Sequence, residues 1–231
     1  MSSIRILFSG LVLIGIFSET MAQGNPQGAQ AGMDIIDHML IKAADDALHG
    51  IPEEKYEGSP YLQETFVSGY VHFGKIKSTP VSMRYNIYSD IIEVQAQGVI
   101  YLLKPDPRVT KIEIGEQTFV PDTFRPLKKS TYFEVLEAGT LTLLAKKIVN
   151  YRKKIEISDV PAKYSRQPDQ YYFKFDKEPV VKFTGFKAII ENSPNKKEEL
   201  SQFVKAEKLS SKDWEDLVKF AKFYNSLFAI N

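Results

Sequence analysis

The sequence contains no cysteine, and its 231 residues include one tryptophan and three histidines. The lack of cysteine excludes disulfides, a lipid-modified N-terminal cysteine, cysteine-ligated zinc and thiol catalysis. Basic and acidic residues are nearly balanced, at 30 and 29. Because such a chain has no strong global field, we predict no nucleic-acid partner.

The short motifs of common enzymes are absent as well. The sequence has no GxSxG nucleophile elbow, no GxxxxGK[ST] or GxGxxG phosphate loop and no HExxH zinc helix. The three histidines, His38, His49 and His72, do not have the spacing of metal ligands. Solvated or hydrogen-bonded surface histidine is the favoured interpretation, and we predict no metal, no cofactor and no catalytic residue.

A hydrolase with dispersed carboxylates stays an alternative, because a carboxylate pair can be assembled from distant positions in a sequence. The candidates in the β-rich part of the chain are Glu64, Asp90, Glu93, Glu113 and Glu134. Charged residues are ordinary on the wet face of a half-exposed sheet. That interpretation is favoured for all five.

The first 22 residues have the pattern of a secretory signal peptide. Arg5 precedes an apolar run from Ile6 to Phe17, and Thr20-Met21-Ala22 offers a small-residue cleavage site. The apolar run is shorter than the roughly 20 residues of a membrane span, so an uncleaved anchor is the less favoured alternative. We predict cleavage after Ala22, a periplasmic or secreted location, and no transmembrane span after removal of the signal.

The mature chain is predicted to form a flexible tail and one α+β domain. The tail is rich in Gln, Gly and Ala, and helical spacing of apolar residues marks the start and the end of the domain. The predicted ranges are 23–32 for the tail, 33–231 for the domain, 33–49 for an N-terminal helix, 64–184 for the β-rich part and 186–229 for two to three C-terminal helices. Capping-box spacing is found at Asn195 with Glu198 and at Ser210 with Asp213.

The clearest strand runs from Val81 to Tyr88. Its apolar set alternates with a polar set at a period of two, which points one set towards a core. The apolar set is Val81, Met83, Tyr85 and Ile87. Similar short segments follow one another with turns rather than helices between them, which predicts a mainly antiparallel sheet. Its shape is left open as a meander, a sandwich or a partly open barrel.

Two segments are predicted to be loops within the β-rich part. The polar stretch 155–170 carries Pro161 and Pro168 and is predicted to be a long surface loop. The stretch 121–130 is basic and contains prolines, and it is also predicted to be a loop.

Two groups of polar residues are candidates for contact with a partner. Arg84, Asn86 and Tyr88 share the polar face of the clearest strand and are the predicted recognition surface, with cross-strand pairing as the alternative. A basic cluster is formed by Lys146, Lys147, Arg152, Lys153 and Lys154, and Lys128 and Lys129 lie nearby in the sequence. Protection of an edge strand is favoured for this cluster over contact with lipid headgroups or nucleic acid.

Several stretches resemble a pattern in uncharacterised secreted proteins of the Bacteroidota. They are Gly58-Ser59-Pro60-Tyr61-Leu62, Pro80 to Tyr88, Ile112-Glu113-Ile114-Gly115, Phe119, Tyr171-Tyr172, Val180-Val181-Lys182 and Tyr224-Asn225. The resemblance covers most of the mature chain and implies an envelope location. That family has no assigned reaction or ligand, so the resemblance implies no catalytic positions.

The preferred hypothesis is a secreted envelope protein that acts as a non-catalytic binding or interaction module. The alternative is a carrier that holds a lipid or another apolar ligand in a pocket between sheet and helices. The expected partner is accordingly an envelope protein or an apolar small molecule. A hydrolase is the third hypothesis.

Overall fold

The computed structural model describes residues 41–42, 55–96, 98–124, 129–155, 157, 160–176 and 178–228. Thirteen strands come first in this part of the chain, and three helices follow them. The strands are β1 (Ile41–Lys42), β2 (Tyr56–Glu57), β3 (Val67–Phe73), β4 (Ile76–Lys77), β5 (Val81–Asn86), β6 (Ile91–Ala96), β7 (Val99–Leu103), β8 (Lys111–Ile114), β9 (Gln117–Thr123), β10 (Ser130–Glu137), β11 (Leu141–Arg152), β12 (Ala162–Phe175) and β13 (Val181–Lys182). The helices are α1 (Phe186–Asn192), α2 (Lys197–Ala206) and α3 (Trp214–Phe228).

The described strands belong to one sheet with the order β1-β7-β6-β5-β3-β8-β9-β10-β11-β12-β13, and β2 and β4 pair with β12 and β3. Neighbours are antiparallel except for β2, which runs parallel to β12. Short turns connect most of them, as expected for antiparallel pairing. The prediction of an α+β chain with a mainly antiparallel sheet and C-terminal helices is therefore confirmed.

The clearest predicted strand corresponds to β5, which ends at Asn86. Its apolar set faces a core as expected, whereas Asn86 of the polar set is buried as well. Met83, Tyr85 and Ile87 are buried in the first core, where Phe119 of β9 and Tyr132 of β10 meet them. The Tyr85 ring lies 5.3 Å from that of Phe119 and 5.9 Å from that of Tyr132. Burial of such aromatic rings contributes strongly to the stability of a core that has no disulfides.

The predicted N-terminal helix over residues 33–49 is not supported. Ile41 and Lys42 form β1, which pairs with Leu102 and Tyr101 of β7. The other residues of this range lie outside the described part of the chain, as do the predicted signal peptide and tail.

The predicted surface loop over residues 155–170 is wrong for its second half. Strand β12 begins at Ala162 and pairs with β11 along its length. Pro168 is tolerated there because the register shifts at this point: Gln167 pairs with Ile148, while Gln170 pairs with Lys146. A β-bulge of this kind is one of the few places where a strand accepts a residue without a backbone N–H.

The predicted loop over residues 121–130 is also shorter than expected, because β9 continues through Pro121 to Thr123. Pro121 pairs with Tyr132 of β10, whereas the pairing of β9 with β8 reaches only as far as Phe119. At Pro121, β9 therefore has a paired strand on one side only. The backbone N–H that proline lacks costs little on the side without a partner strand.

The three helices pack on one face of β10–β12 and form a second core. Leu143 and Phe173 of the sheet meet Leu217, Phe220 and Tyr224 of α3 there. A third, smaller cluster lies elsewhere along β9–β13 and contains Phe133, Leu144, Tyr172 and Val180.

The capping of the helices differs from the prediction. The N-cap residue of α2 is Lys196, and no side chain caps this helix. At the start of α3, Asp213 Oδ1 accepts from the N–H of Glu215.

Candidate functional site

A groove of about 800 Å³ lies beside the C-terminal helices. We call it the helix groove. Its apolar lining comes from β12, β13 and α3, from the turn between β12 and β13, and from the segment between α1 and α2. The lining side chains are Phe173, Phe175, Pro179, Val180, Val181, Pro194 and Tyr224, together with Thr140, Asp176, Glu178, Lys182 and Asn192.

Aromatic contacts form the inner wall of the helix groove. The ring of Phe175 lies 5.5 Å from that of Phe173 and 5.7 Å from that of Tyr224. Burial raises the pKa of Tyr224, whose hydroxyl lies 3.4 Å from Ser193 Oγ. The wall is therefore made of packed rings. The Tyr224 hydroxyl stays neutral over the physiological pH range.

Charged residues stand only at the open side of the helix groove. Asp176, Glu178 and Lys182 are exposed, and so is Val181, whose side chain keeps 47% of its accessible area. The Asp176 N–H donates to the Thr140 carbonyl, and the Glu178 N–H donates to the Phe175 carbonyl, so the turn that carries both acids is itself hydrogen-bonded. The groove thus combines an apolar interior with a charged rim, as small-molecule sites commonly do.

A second cavity, of about 250 Å³, lies where the β5–β6 turn meets β10 and β11. Lys146 places its Nζ 2.6 Å from Asp90 Oδ1, 3.0 Å from the Tyr85 hydroxyl and 3.3 Å from the Tyr132 carbonyl. Asp90 Oδ2 accepts from the Thr131 hydroxyl at 2.6 Å. These bonds join segments that are distant along the strand order, so the sheet is bent at this point.

Ionisation in this cluster is shaped by burial. Burial lowers the pKa of Lys146, and the Asp90 carboxylate acts in the opposite direction. Burial and then the Asp90 carboxylate raise the pKa of Tyr85 well above its usual range. A lysine with a lowered pKa can act as a nucleophile, but three acceptors already hold this ammonium in place. We interpret the cluster as a structural connection.

The three residues of the predicted recognition surface do not form one exposed face. Asn86 is fully buried, and its amide donates to Glu93 Oε1 at 3.3 Å. The Arg84 guanidinium lies 3.7 Å from the centre of the Tyr61 ring and donates to Glu93 Oε2 at 2.8 Å. Tyr88 is 39% exposed and is the one member that offers surface to a partner. Their role in recognition stays a prediction.

Tyr88 belongs to a group of four packed tyrosines with Tyr56, Tyr151 and Tyr164. The Tyr88 ring lies 5.8 Å from that of Tyr151 and 5.2 Å from that of Tyr164. The Tyr164 ring lies 4.7 Å from that of Tyr151 and 5.1 Å from that of Tyr56. The rings fill the space between them, so this group packs the end of the β11–β12 hairpin rather than enclosing a ligand.

Four of the five candidate carboxylates lie against cations. Asp90 meets Lys146, Glu93 meets Arg84, and Glu134 meets Lys147. Glu113 is 2.6 Å from Lys111 and 3.2 Å from His72 Nε2, and the hydrogen bond from Lys111 is the main reason why its pKa falls to about 2. The fifth, Glu64, is exposed and accepts from Arg84 through its carbonyl.

No three His, Asp or Glu side chains of the described residues converge to hold a metal ion. His72 lies beside Glu113 as given above, whereas His38 and His49 fall outside the described residues.

Strand β11 pairs with β12 along its length, but its pairing with β10 ends at Ala145. The basic part of β11, from Lys146 to Arg152, therefore has a paired strand on one side only, and the interpretation of its lysines as edge protection stays a prediction. Lys146 and Lys147 also form the ion pairs given above. Arg152, Lys153 and Lys154 are exposed at the far end of β11.

No protein-family model, no curated protein and no solved structure matches the chain. The resemblance to secreted proteins of the Bacteroidota therefore stays a prediction. In the part of the chain that the structure describes, no helix is sufficiently long and apolar to cross a bilayer.

Sequence reasoning missed most of the residues that line the helix groove. The sequence predicts strands at Phe173 and Val180 and a helix at Tyr224, but their convergence depends on how α3 crosses β11–β13. The available signal is the helical spacing of apolar residues at the end of the domain. The carrier hypothesis placed a pocket between sheet and helices without naming these residues.

Proposed function

We propose that this chain is a non-catalytic binding protein that accommodates an apolar small molecule in the helix groove. The observation that carries the proposal is the groove of about 800 Å³ with its lining of aromatic, valine and proline side chains. Small-molecule sites usually have volumes of about 300–1,000 Å³ and largely apolar walls. An elongated hydrocarbon chain or a fused-ring molecule fits this lining better than a polar ligand does.

The bent sheet supports the same proposal. Among the shapes that the sequence left open we propose the partly open barrel, because the contact between Asp90 and Lys146 joins strands that are distant along the strand order. The helices cover one face of β10–β12 and leave the groove at their border with β13. We further propose a periplasmic or secreted location, on the export pattern of the first 22 residues alone.

The hydrolase alternative receives no support from the carboxylates. A general acid and a nucleophile need carboxyl groups that are free to exchange a proton or to attack. Asp90, Glu93 and Glu134 each contact a lysine or an arginine instead. We therefore favour binding over catalysis.

The test is the binding of the neutral apolar dye N-phenyl-1-naphthylamine, whose fluorescence rises in apolar surroundings. We expect saturable binding to the wild-type chain and a dissociation constant at least tenfold higher for Val181→Trp. The indole would occupy the groove from an exposed position, so the variant is expected to fold. Val160→Trp is the matched control, because Val160 is also an exposed valine but does not line the groove.

Equal affinity of the two tryptophan variants for the dye would contradict the proposal, and so would the absence of saturable binding. If the wild-type chain binds the dye, displacement of the dye by a fatty acid or a phospholipid would identify the class of ligand. Native mass spectrometry of gently purified chain should show a bound lipid-sized mass in the wild type and in Val160→Trp, and less of it in Val181→Trp.

A further inference from the structure

A smaller cleft at the other end of the helical layer is lined by groups of a different chemistry. It has a volume of about 230 Å³ and is lined by Glu134, Leu136, Lys147, Asp169, Tyr171 and Trp214. We call it the Trp214 cleft. It shares no lining residue with the helix groove.

The floor of the Trp214 cleft is a largely buried charge cluster. Lys147 Nζ lies 2.6 Å from Asp169 Oδ2 and directly against Glu134 Oε2. Gln117 donates to Glu134 Oε1 at 2.8 Å, and Arg166 stands 3.9 Å from Asp169 Oδ1. Burial alone would lower the pKa of Lys147. The hydrogen bonds to Asp169 and Glu134 outweigh this effect, so the pKa of Lys147 is raised. The cluster therefore holds a permanent cation between two carboxylates.

The wall of the cleft is aromatic. Trp214, the single tryptophan of the chain, is the first residue of α3 and keeps 51% of its accessible area. Tyr171 lies on β12, and its ring edges the same cavity. A half-exposed indole beside a buried polar cluster offers a flat apolar face and hydrogen-bonding groups to one ligand.

The charges on the floor decide which ligand fits. A cation would compete with Lys147 for the same two carboxylates. An anion would be repelled by both carboxylates at close range. A neutral ligand with several hydroxyl groups meets neither obstacle. Its hydroxyls can donate to the remaining lone pairs of Asp169 and of Glu134 Oε1, since each carboxylate oxygen accepts about two bonds. Glu134 Oε2 is buried against Lys147.

We propose that the Trp214 cleft binds a neutral saccharide, with one sugar ring stacked on Trp214 and its hydroxyl groups bonded to Asp169, Glu134 and Lys147. The apolar C–H face of a sugar ring matches the indole, and its hydroxyl edge matches the floor. The volume is below the usual range for drug-sized ligands, which fits a single ring. The proposal is independent of the helix groove.

The single tryptophan makes the test direct, because all intrinsic tryptophan fluorescence comes from the cleft. Glucose, galactose, N-acetylglucosamine and short oligomers of each are titrated into the full chain. We expect a saturable change in intensity or wavelength for at least one saccharide. Asp169→Asn should raise the dissociation constant at least tenfold, since it removes the charge of an acceptor.

Asp122→Asn is the matched control, because Asp122 is also a strand aspartate 2.6 Å from a lysine, Lys174, but does not line the cleft. It should bind the saccharide like the wild type. Trp214→Leu, followed by calorimetry instead of fluorescence, should lose binding while its thermal unfolding remains cooperative. This exposed position keeps the test valid if Asp169→Asn fails to fold.

Three results would overturn the proposal. The first is no response to any saccharide up to a concentration of tens of millimolar. The second is the same loss of affinity in Asp122→Asn as in Asp169→Asn. The third is a fluorescence response to tetramethylammonium or acetate but not to saccharides, which would assign the cleft to a charged ligand.

Discussion

Lys146 Nζ lies 2.6 Å from Asp90 Oδ1, although the two residues are 56 positions apart in the sequence. Asp90 stands in the turn between β5 and β6 with a positive φ of 57°, and Lys146 lies in the middle of β11. Asp90 also accepts from the hydroxyls of Tyr85 and Thr131, both at 2.6 Å. One carboxylate therefore connects three strands of the bent sheet to the turn that precedes β6.

Asp90→Asn is expected to lower the free energy of unfolding by about 3–5 kcal/mol near neutral pH, because it leaves the buried Lys146 ammonium without its counter-charge. Urea unfolding measures the loss. Glu207→Gln, which breaks the exposed pair with Lys219, should cost about 0–1 kcal/mol and is the control.

The loss in Asp90→Asn should also depend on pH. Without Asp90 the pKa of Lys146 falls further below that of the unfolded chain, so the unfolded state binds more protons between the two values. The stability of the variant relative to the wild type then recovers as the pH rises towards the ordinary pKa of lysine. A loss that stays constant over this interval would contradict the role given to Lys146.

Arg84 and Glu93 are direct cross-strand partners in the β5–β6 register, and Glu93 is fully buried. Arg84→Met keeps an apolar side chain between the rings of Tyr61 and Phe66 but removes the guanidinium from Glu93. We expect a loss of about 3–5 kcal/mol in the free energy of unfolding, since a buried charge loses its partner.

A double-mutant cycle separates this charge effect from loss of packing. Arg84→Met combined with Glu93→Gln should be more stable than Arg84→Met alone, because the uncompensated carboxylate is gone. Urea unfolding of the four chains gives the coupling energy. If the double variant is less stable than both single variants, the pair is not the reason for the loss.

Glu113 is expected to make stability depend on pH in the acid range. Its pKa is about 2 in the folded chain against an ordinary value of 4.5, because Lys111 donates to it and His72 and Lys77 lie near. Between these values the unfolded chain binds the proton and the folded chain does not, so stability falls as the pH falls.

Glu113→Gln tests this contribution. The side chain is partly exposed, so the variant should lose at most about 1 kcal/mol above pH 5. The difference from the wild type should shrink as the pH falls from 4.5 to about 2. Urea unfolding across this range is the measurement. Glu116→Gln, at an exposed glutamate of the same hairpin, is the control, and an equal pH dependence in both variants would contradict the assignment.

The strands with a clean alternation could be predicted from the sequence, because water sorts apolar and polar side chains at a period of two. Met83 and Tyr85 are buried for this reason. Strand β12 could not be predicted in this way. Its first half alternates Ala162 and Tyr164 with polar residues and then reaches Pro168, and only the bulge opposite β11 makes a proline acceptable there.

The candidate sites were harder to predict, since they depend on register and on the crossing of the helices. Glu93 was one of five equivalent carboxylates until the β5–β6 register placed it opposite Arg84. Glu134, Lys147 and Asp169 come from three strands, and Trp214 comes from a helix. Nothing in their separate sequence neighbourhoods indicates that these four residues share a cleft.

Asn225 attaches α3 to the turn between β10 and β11. Its Oδ1 accepts from the N–H of Leu141 at 2.8 Å, and its Nδ2 donates to the Leu141 carbonyl at 3.0 Å. Asn225→Ala leaves both backbone groups without this partner, so we expect a loss of about 1–3 kcal/mol in the free energy of unfolding.

Gly139 permits this attachment, because a Cβ at position 139 would lie 2.3 Å from Asn225 Nδ2. Gly139→Ala alone should therefore push the amide away and cost about as much as Asn225→Ala. Once Asn225 is alanine the obstacle is absent, so adding Gly139→Ala should cost little more, and the two losses should not add. Urea unfolding of the four chains measures this coupling. Fully additive losses would show that Gly139 acts on stability through something other than the contact with Asn225.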